Sequence, residues 1–60
     1  MKTQTAIEFF GSAADLARAA SVSRQAVTRW IKTGLVPIRK ALDLERATAR
    51  QLNASVEDYR

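Results

Sequence analysis

Apolar residues recur at helical spacing in two neighbouring stretches near the middle of the chain. In the first stretch, the i, i+3, i+4, i+7 spacing of a single helix face is occupied by Ala13, Leu16, Ala17 and Ala20. In the second stretch, the predicted buried side consists of Val27, Trp30 and Ile31, with Ala26 beside them. The pattern therefore predicts two short helices with a tight turn between them, over residues 13–32.

The opposite side of the second helix is polar and contains no acidic residue. Ser23 precedes this helix and suits its N-cap, because a serine hydroxyl accepts a hydrogen bond from a free amide. The polar positions are again spaced at i, i+3, i+4, i+7, with one more arginine near the tip: Gln25, Thr28, Arg29, Lys32 and Arg24. Such side chains can bind both phosphates and base edges. An ordinary helical hairpin with a solvated basic face would have the same spacing.

Before this pair of helices, one further short helix is predicted. Residues 1–4 are expected to be frayed, as chain termini often are. The helix is expected to begin at a capping box formed by Thr5 and Glu8, or at Thr3, and to end near Phe10. Gly11 then suits the left-handed residue that stops a helix. The predicted core-facing residues are either Ile7 with Phe10, or Ala6 with Phe9 and Phe10. A second capping box, Ser12 with Asp15, starts the next helix.

After the pair, the longest helix is predicted. Gly34 suits the end of the preceding helix, and Pro37 suits the first position of the new one. The link between them, Leu35 and Val36, is expected to tuck under the core, with a subunit interface as the alternative. The new helix is expected from Ile38 to about Ala49, and its apolar face comprises Ile38, Ala41, Leu42 and Leu44. Its i, i+4 and i, i+3 charge pairs are Arg39 with Asp43 and Asp43 with Arg46.

The last ten residues predict one final turn. Ser55 and Asp58 form a third capping box, and Tyr59 is expected to pack this turn against the core. Residues 39–50 lack the alternation of apolar and polar positions that strands require, and they are rich in good helix formers. The predicted fold class is therefore all-α, with about five short helices.

Length and composition narrow the possible functions. Sixty residues predict one domain, 1–60, with a small core and no enclosed catalytic pocket. The chain has no cysteine and no histidine, so disulfides, thiolate metal sites and the commonest general base are excluded. We therefore expect neither an enzyme nor a metal, cofactor or small-molecule substrate. The N-terminus is polar and no apolar run reaches membrane-spanning length, which predicts a cytoplasmic protein.

The positive charge is concentrated in the middle of the chain. Six basic residues and no acidic ones lie between Asp15 and Asp43: Arg18, Arg24, Arg29, Lys32, Arg39 and Lys40. The rest of the chain has an excess of two acids, so the net charge is +4. A concentration of this kind is typical of polyanion binding. An anionic membrane is the less favoured partner, because the bulky residues beside the bases, Trp30 and Ile31, are expected to lie in the core.

The segment LARAASVSRQAVTRW also resembles the helix-turn-helix of small phage repressors of the Cro family. The matching features are an alanine at the tight helix contact, branched residues after the turn and in the second helix, and an aromatic anchor: Ala17, Val22, Val27 and Trp30. Outside the motif, the resemblance extends to Phe9–Gly11, to Val36–Pro37 and to Tyr59–Arg60. It covers nearly the whole chain and is greatest for the all-helical branch of the family.

This resemblance implies a lambda-repressor-like fold and a transcriptional regulator. In such a protein the second motif helix enters the major groove of a two-fold operator, and the bound homodimer blocks polymerase in a bacterial host cell. The DNA-binding residues it implies here are Ser23, Arg24, Gln25, Thr28, Arg29 and Lys32. Three further cations either contact the DNA backbone or are simply solvated: Arg18, Arg39 and Lys40. One departure lies in the turn, where the family usually has Leu-Gly and this chain has Ala20-Ser21. A serine with positive φ there costs about 1 kcal/mol.

A function in another class stays open at this point. A helical protein-interaction module, for example an antitoxin-like domain, would have a similar shape but weak DNA binding without sequence preference. The acid-free face of the second motif helix argues against it. The sequence does not separate a phage repressor from a chromosomal regulator of similar shape, nor does it identify the operator or the dimer face.

Overall fold

Four α-helices and a closing 3₁₀ turn make up the computed structural model, which describes residues 1–59. The elements are α1 (Thr3–Phe10), α2 (Ala13–Ala20), α3 (Arg24–Thr33), α4 (Ile38–Ala47) and the 3₁₀ turn Val56–Tyr59. The predicted all-helical fold is confirmed, with the 3₁₀ turn in place of a fifth α-helix. Arg60, the second residue of the predicted Tyr-Arg pair, lies outside the described residues. No helix within residues 1–59 is long and apolar enough to cross a membrane.

The core lies where α1, α2, α3 and α4 meet. Its largest fully buried members come from all parts of the chain: Met1, Leu16, Val27, Val36 and Leu44. Trp30 joins them with only 7% of its surface exposed. The stripe predicted for α2 is confirmed, since Leu16, Ala17 and Ala20 are buried and Ala13 packs against the core. Burial of these apolar side chains supplies most of the stability, at about 0.8 kcal/mol per methylene.

The predicted helix boundaries around the motif are confirmed by their caps. The Ser12 hydroxyl accepts a hydrogen bond from the Asp15 amide at 3.1 Å, and the Ser23 hydroxyl accepts one from the Ala26 amide at 3.3 Å. Gly11 (φ 102°) ends α1 and Gly34 (φ 86°) ends α3, both in the left-handed region that favours glycine. These caps satisfy backbone groups that helix ends would otherwise leave unpaired.

The prediction of a frayed N-terminus is wrong. Met1 is buried, and its carbonyl accepts a hydrogen bond from the Val36 amide at 3.0 Å. The Thr3 amide donates to the Gly34 carbonyl, also at 3.0 Å, so Lys2 and Leu35 form an isolated antiparallel bridge. Helix α1 consequently begins at Thr3 without a side-chain cap, and neither predicted threonine acts as one. The bridge joins two extended segments that are more than thirty residues apart in the sequence. Local sequence patterns cannot predict such a pairing.

Thr3 ties this bridge to α3 through a buried side chain. Its hydroxyl donates to the Trp30 carbonyl at 2.8 Å. We expect Thr3→Val, which keeps the shape and removes the donor, to lower the free energy of unfolding by about 1 kcal/mol. Chemical denaturation measures the change. Thr5→Val, at an exposed position of the same helix, is the control and should change stability by less than about 0.5 kcal/mol. Equal effects of the two substitutions would contradict a role for the Thr3 bond.

Several apolar side chains predicted to face the core are exposed instead. They are Phe9 (43% exposed), Ile31 (52%), Ile38 (37%) and Leu42 (40%). The reason is the narrow width of each buried stripe in a domain of this size. Helix α3 uses Val27 and Trp30, and α4 uses Ala41 and Leu44, so residues one position outside these stripes remain at the surface.

The C-terminal segment returns to the N-terminus. Helix α4 ends at Ala47, two residues earlier than predicted, and Pro37 is its N-cap rather than its first residue. The Tyr59 hydroxyl donates to the Val36 carbonyl and accepts from the Met1 ammonium at 2.9 Å, which confirms that Tyr59 packs the tail against the core. Asp58 pairs with the same ammonium at 3.2 Å instead of completing a capping box. Burial, and secondarily the Asp58 charge, raise the pKa of Tyr59.

Candidate nucleic-acid interface

Helices α2 and α3 are joined by the tight turn that the sequence predicts. Ser21 occupies its left-handed position, with φ 57° and ψ 42°. The Ser21 amide donates to the Arg18 carbonyl at 3.2 Å, and the Val22 amide donates to the Ala17 carbonyl at 3.0 Å. Val22 then packs against the core. Two backbone hydrogen bonds and one apolar contact therefore hold a serine in a conformation that a glycine adopts more easily.

Ser21→Gly is expected to stabilise the protein. Glycine removes the strain of a side chain at positive φ, which costs about 1 kcal/mol. This gain exceeds the stability lost because glycine gives the unfolded chain more conformational entropy. We expect a net increase of about 0.5 kcal/mol in the free energy of unfolding. Ala19→Gly, at an exposed position of α2, is the matched control and should lower stability by about 1 kcal/mol. A loss of stability in Ser21→Gly would show that the turn is not strained.

The six side chains predicted to bind DNA are all exposed, and five of them lie on α3. They are Ser23, Arg24, Gln25, Thr28, Arg29 and Lys32. Two of these side chains form a hydrogen bond with the backbone of α3: the Ser23 hydroxyl caps the helix, and the Thr28 hydroxyl donates to the Arg24 carbonyl at 3.0 Å. Within residues 1–59, the side chains of the other four form no hydrogen bond or ion pair. We call these six residues the α3 face.

Within residues 1–59, no acidic group forms an ion pair with the cations of the α3 face. The ion pairs within residues 1–59 join Met1 to Asp58 and Arg18 to Asp15. Neither pair includes a residue of the α3 face, and the second, at 3.7 Å between exposed side chains, contributes little to stability. The cations of α3 therefore need not break an ion pair with residues 1–59 before they bind an anionic ligand.

Of the three additional cations considered for DNA contacts, Lys40 has a structural partner. Its ammonium group donates to the Ala20 carbonyl at 3.3 Å, and the side chain is half-buried. This bond satisfies a carbonyl at the C-terminal end of α2, where positive charge is favoured. Lys40 thus links α4 to the turn of the helix-turn-helix. Arg18 and Arg39 remain exposed.

The C-terminal end of α3 is fixed from outside the motif. The Trp30 carbonyl accepts hydrogen bonds from the Thr3 hydroxyl, the Gly34 amide and the Thr33 hydroxyl, at 2.8, 2.8 and 3.2 Å. The bridge to residue 35 also brings Lys2, an exposed cation, beside the segment that follows α3. Sequence reasoning missed Lys2, because no local pattern indicates that the N-terminus pairs with this segment.

The part of the chain that the structure describes contains no group of three residues that could hold a metal ion, and its surface has no pocket for a small molecule. The α3 face carries three exposed cations and no acid, and its helix is held at both ends. It is convex and helical, which suits a groove rather than an enclosed ligand.

Comparisons with known proteins agree with this geometry. The family model described as "Bacterial toxin YdaS" matches residues 3–56. A solved structure described as N15 Cro complexed with consensus operator DNA is 28% identical and superposes with a TM-score of 0.87, covering 100% of this chain and 95% of that one. No curated protein matches. The resemblance to the Cro family predicted from the sequence is confirmed.

Proposed function

The chain belongs to the family described as bacterial toxin YdaS, and from the geometry of its α3 face we propose that it is a sequence-specific DNA-binding regulator of transcription. The observation that carries the proposal is the row of three cations and one side-chain amide along α3, which contains no acid and forms no ion pair within residues 1–59. A second support is the likeness to N15 Cro, whose structure contains operator DNA. The protein would act without catalysis, in the cytoplasm of a bacterial host, where operator DNA lies.

The proposed mechanism is insertion of α3 into the major groove. Arg29 or Arg24 would pair with guanine through its planar fork, and Gln25 with adenine through its amide. Lys32 lies near the C-terminal end of α3, where a point charge suits a phosphate. Ser23 begins the helix beside the other edge of the groove and also suits a phosphate. Bound protein would then obstruct polymerase at the operator.

Thr28 has a more restricted role, because its hydroxyl hydrogen already binds the Arg24 carbonyl. The groups it still offers are a methyl and an acceptor oxygen. A threonine methyl suits contact with the 5-methyl group of thymine. We therefore assign to Thr28 an apolar contact in the groove rather than a donated hydrogen bond.

A single domain of 60 residues offers a small contact area, of the size that isolated DNA-binding modules bury, about 600–1,000 Å². Two copies on a two-fold operator would double that area and the number of base contacts. The functional unit in the proposal is therefore a homodimer on double-stranded DNA.

Selection of bound sites from a random DNA pool tests the proposal. We expect enrichment of a palindromic consensus with half-sites about one helical turn apart, 10–10.5 base pairs between centres. The variant Arg24→Ala/Arg29→Ala should lose enrichment, whereas Arg46→Ala/Arg50→Ala, which removes the same charge from exposed positions outside the motif, should keep the consensus. Absence of any enriched sequence with the unaltered protein would overturn the proposal.

The family description favours one second candidate, a bacterial toxin whose activity does not depend on the α3 face. Expression in a bacterial host separates the two candidates. If growth inhibition occurs and disappears in Arg24→Ala/Arg29→Ala, DNA binding accounts for toxicity. If inhibition persists in this variant while DNA binding is lost, the toxic activity belongs to another surface.

A further inference from the structure

Helix α4 carries an exposed apolar pair with charges beside it. Ile38 and Leu42 lie one turn apart and expose 37% and 40% of their surfaces. Arg39 and Asp43, also one turn apart and exposed, lie along one side of this pair. We call these four residues the α4 face. Two branched side chains at the surface of so small a domain lose stabilising burial that a partner would restore.

The two charges of the α4 face form no ion pair with residues 1–59. Arg39 and Asp43 have the i, i+4 spacing at which opposite charges often form an ion pair on a helix. The ion pairs formed by residues 1–59 include neither of them. Both charged groups are therefore available to an opposite charge on another molecule.

We propose that the α4 face binds the α4 face of a second copy, with the two helices antiparallel about a two-fold axis. Residues four apart are separated by about 6 Å along a helix. A two-fold axis level with the midpoint between residues 40 and 41 therefore places Ile38 opposite the partner's Leu42 and Arg39 opposite the partner's Asp43, each to within about 1.5 Å along the helix. Because a two-fold interface repeats every contact, the apolar contact and the ion pair each form twice.

This self-complementarity is the reason to favour a second copy over another occupant. A nucleic acid or an anionic membrane would pair with Arg39 but be repelled by Asp43, and an acidic protein would leave Asp43 unpaired. In an antiparallel pair of identical helices, every charge of the face meets its opposite. The inference rests on the proposed function in one respect: a two-fold operator requires a two-fold protein.

The size of the face predicts weak association in solution. Stable interfaces bury about 800 Å² per partner, whereas this face contributes two apolar side chains and two charges. Binding to adjacent half-sites raises the effective concentration of the second subunit and strengthens the same contact. We expect the unaltered protein to self-associate reversibly at high micromolar to millimolar concentration. On a two-fold operator, we expect both half-sites to be filled and the two α4 faces to be in contact.

Charge reversal tests the pairing directly by sedimentation equilibrium at low salt. Arg39→Asp places like charges opposite each other in a self-pair, and so does Asp43→Arg. Each variant alone is expected to self-associate about tenfold more weakly than the unaltered protein. An equimolar mixture of the two variants should recover association, because each variant then meets opposite charges. A mixture no stronger than either variant alone, or an unaltered protein that stays monomeric at millimolar concentration, would overturn the proposal.

A second variant separates this inference from the DNA proposal. Leu42→Lys is expected to remain folded, to bind a single half-site like the unaltered protein and to lose cooperative binding to the two-fold site by at least tenfold. Phe9→Lys, at an equally exposed apolar position on α1, is the control and should keep cooperativity. Cooperativity retained in Leu42→Lys would refute the α4 face alone. If the mixture of Arg39→Asp and Asp43→Arg associates but the unaltered protein selects no DNA sequence, only the DNA proposal is refuted.

Discussion

Replacing Trp30 with alanine should remove a large part of the free energy of unfolding of the protein. Trp30 exposes only 7% of its surface and lies in the core with Val27. Large-to-small changes of a buried tryptophan cost about 3–5 kcal/mol, because they remove apolar contacts and leave a cavity. A domain of 60 residues has a total stability of roughly 3–9 kcal/mol. Helical circular dichroism during urea titration measures the loss.

The neighbouring residue provides the control for this prediction. Ile31 lies on the same helix but is 52% exposed, so Ile31→Ala is expected to cost less than about 1 kcal/mol. Trp30→Phe keeps an aromatic ring in the core and should retain most of the stability. If Trp30→Ala instead keeps the stability of the unaltered protein and loses only DNA binding, the assignment of Trp30 to the core is incorrect.

The largest expected effect on binding comes from Arg29. Arg29 lies in the second half of α3, exposed and without an ion pair in the described part of the chain. Its planar fork matches the two acceptors of guanine in the major groove. Arg29→Ala should therefore cost about 1–3 kcal/mol on the selected site and remove preference at one base pair per half-site. Binding to matched and mismatched operators measures both effects.

Lys32→Ala is the matched comparison from the same face of the same helix. We expect it to weaken binding to all sequences alike and to reduce the dependence of log affinity on log salt by roughly one unit per subunit. Titrations at several salt concentrations separate the two roles. The assignment is wrong if Arg29→Ala preserves the consensus while Lys32→Ala alters it. If neither substitution changes affinity, α3 does not enter the groove.

The helix-turn-helix was predictable because its determinants are local. Helical spacing identified the buried stripe of α2 and the exposed face of α3, and the caps at Ser12, Ser23 and Gly34 are residues whose chemistry acts within one turn. The all-helical fold followed from the same signals. The exposed positions of the α3 face were correctly predicted, and their contacts with DNA remain predictions.

The features that could not be predicted depend on contacts between distant parts of the chain. The bridge between Lys2 and Leu35 and the hydrogen bond from Lys40 to the Ala20 carbonyl join segments that share no local pattern. The exposure of Ile31 and Leu42 was missed for a related reason. Periodicity shows which residues lie on one side of a helix, but the neighbouring helices determine how wide the buried stripe becomes.

The side chains of Arg24, Gln25, Arg29 and Lys32 have no partner within the described residues, and this independence has an evolutionary consequence. Since their replacement removes no core contact and leaves no buried polar group unpaired, stability places little constraint on these positions. If the α3 face reads the operator as proposed, mutations there would change the preferred sequence while the fold persists. Descendants of one ancestral domain would then acquire separate regulatory targets in few steps, each tolerated by the same scaffold.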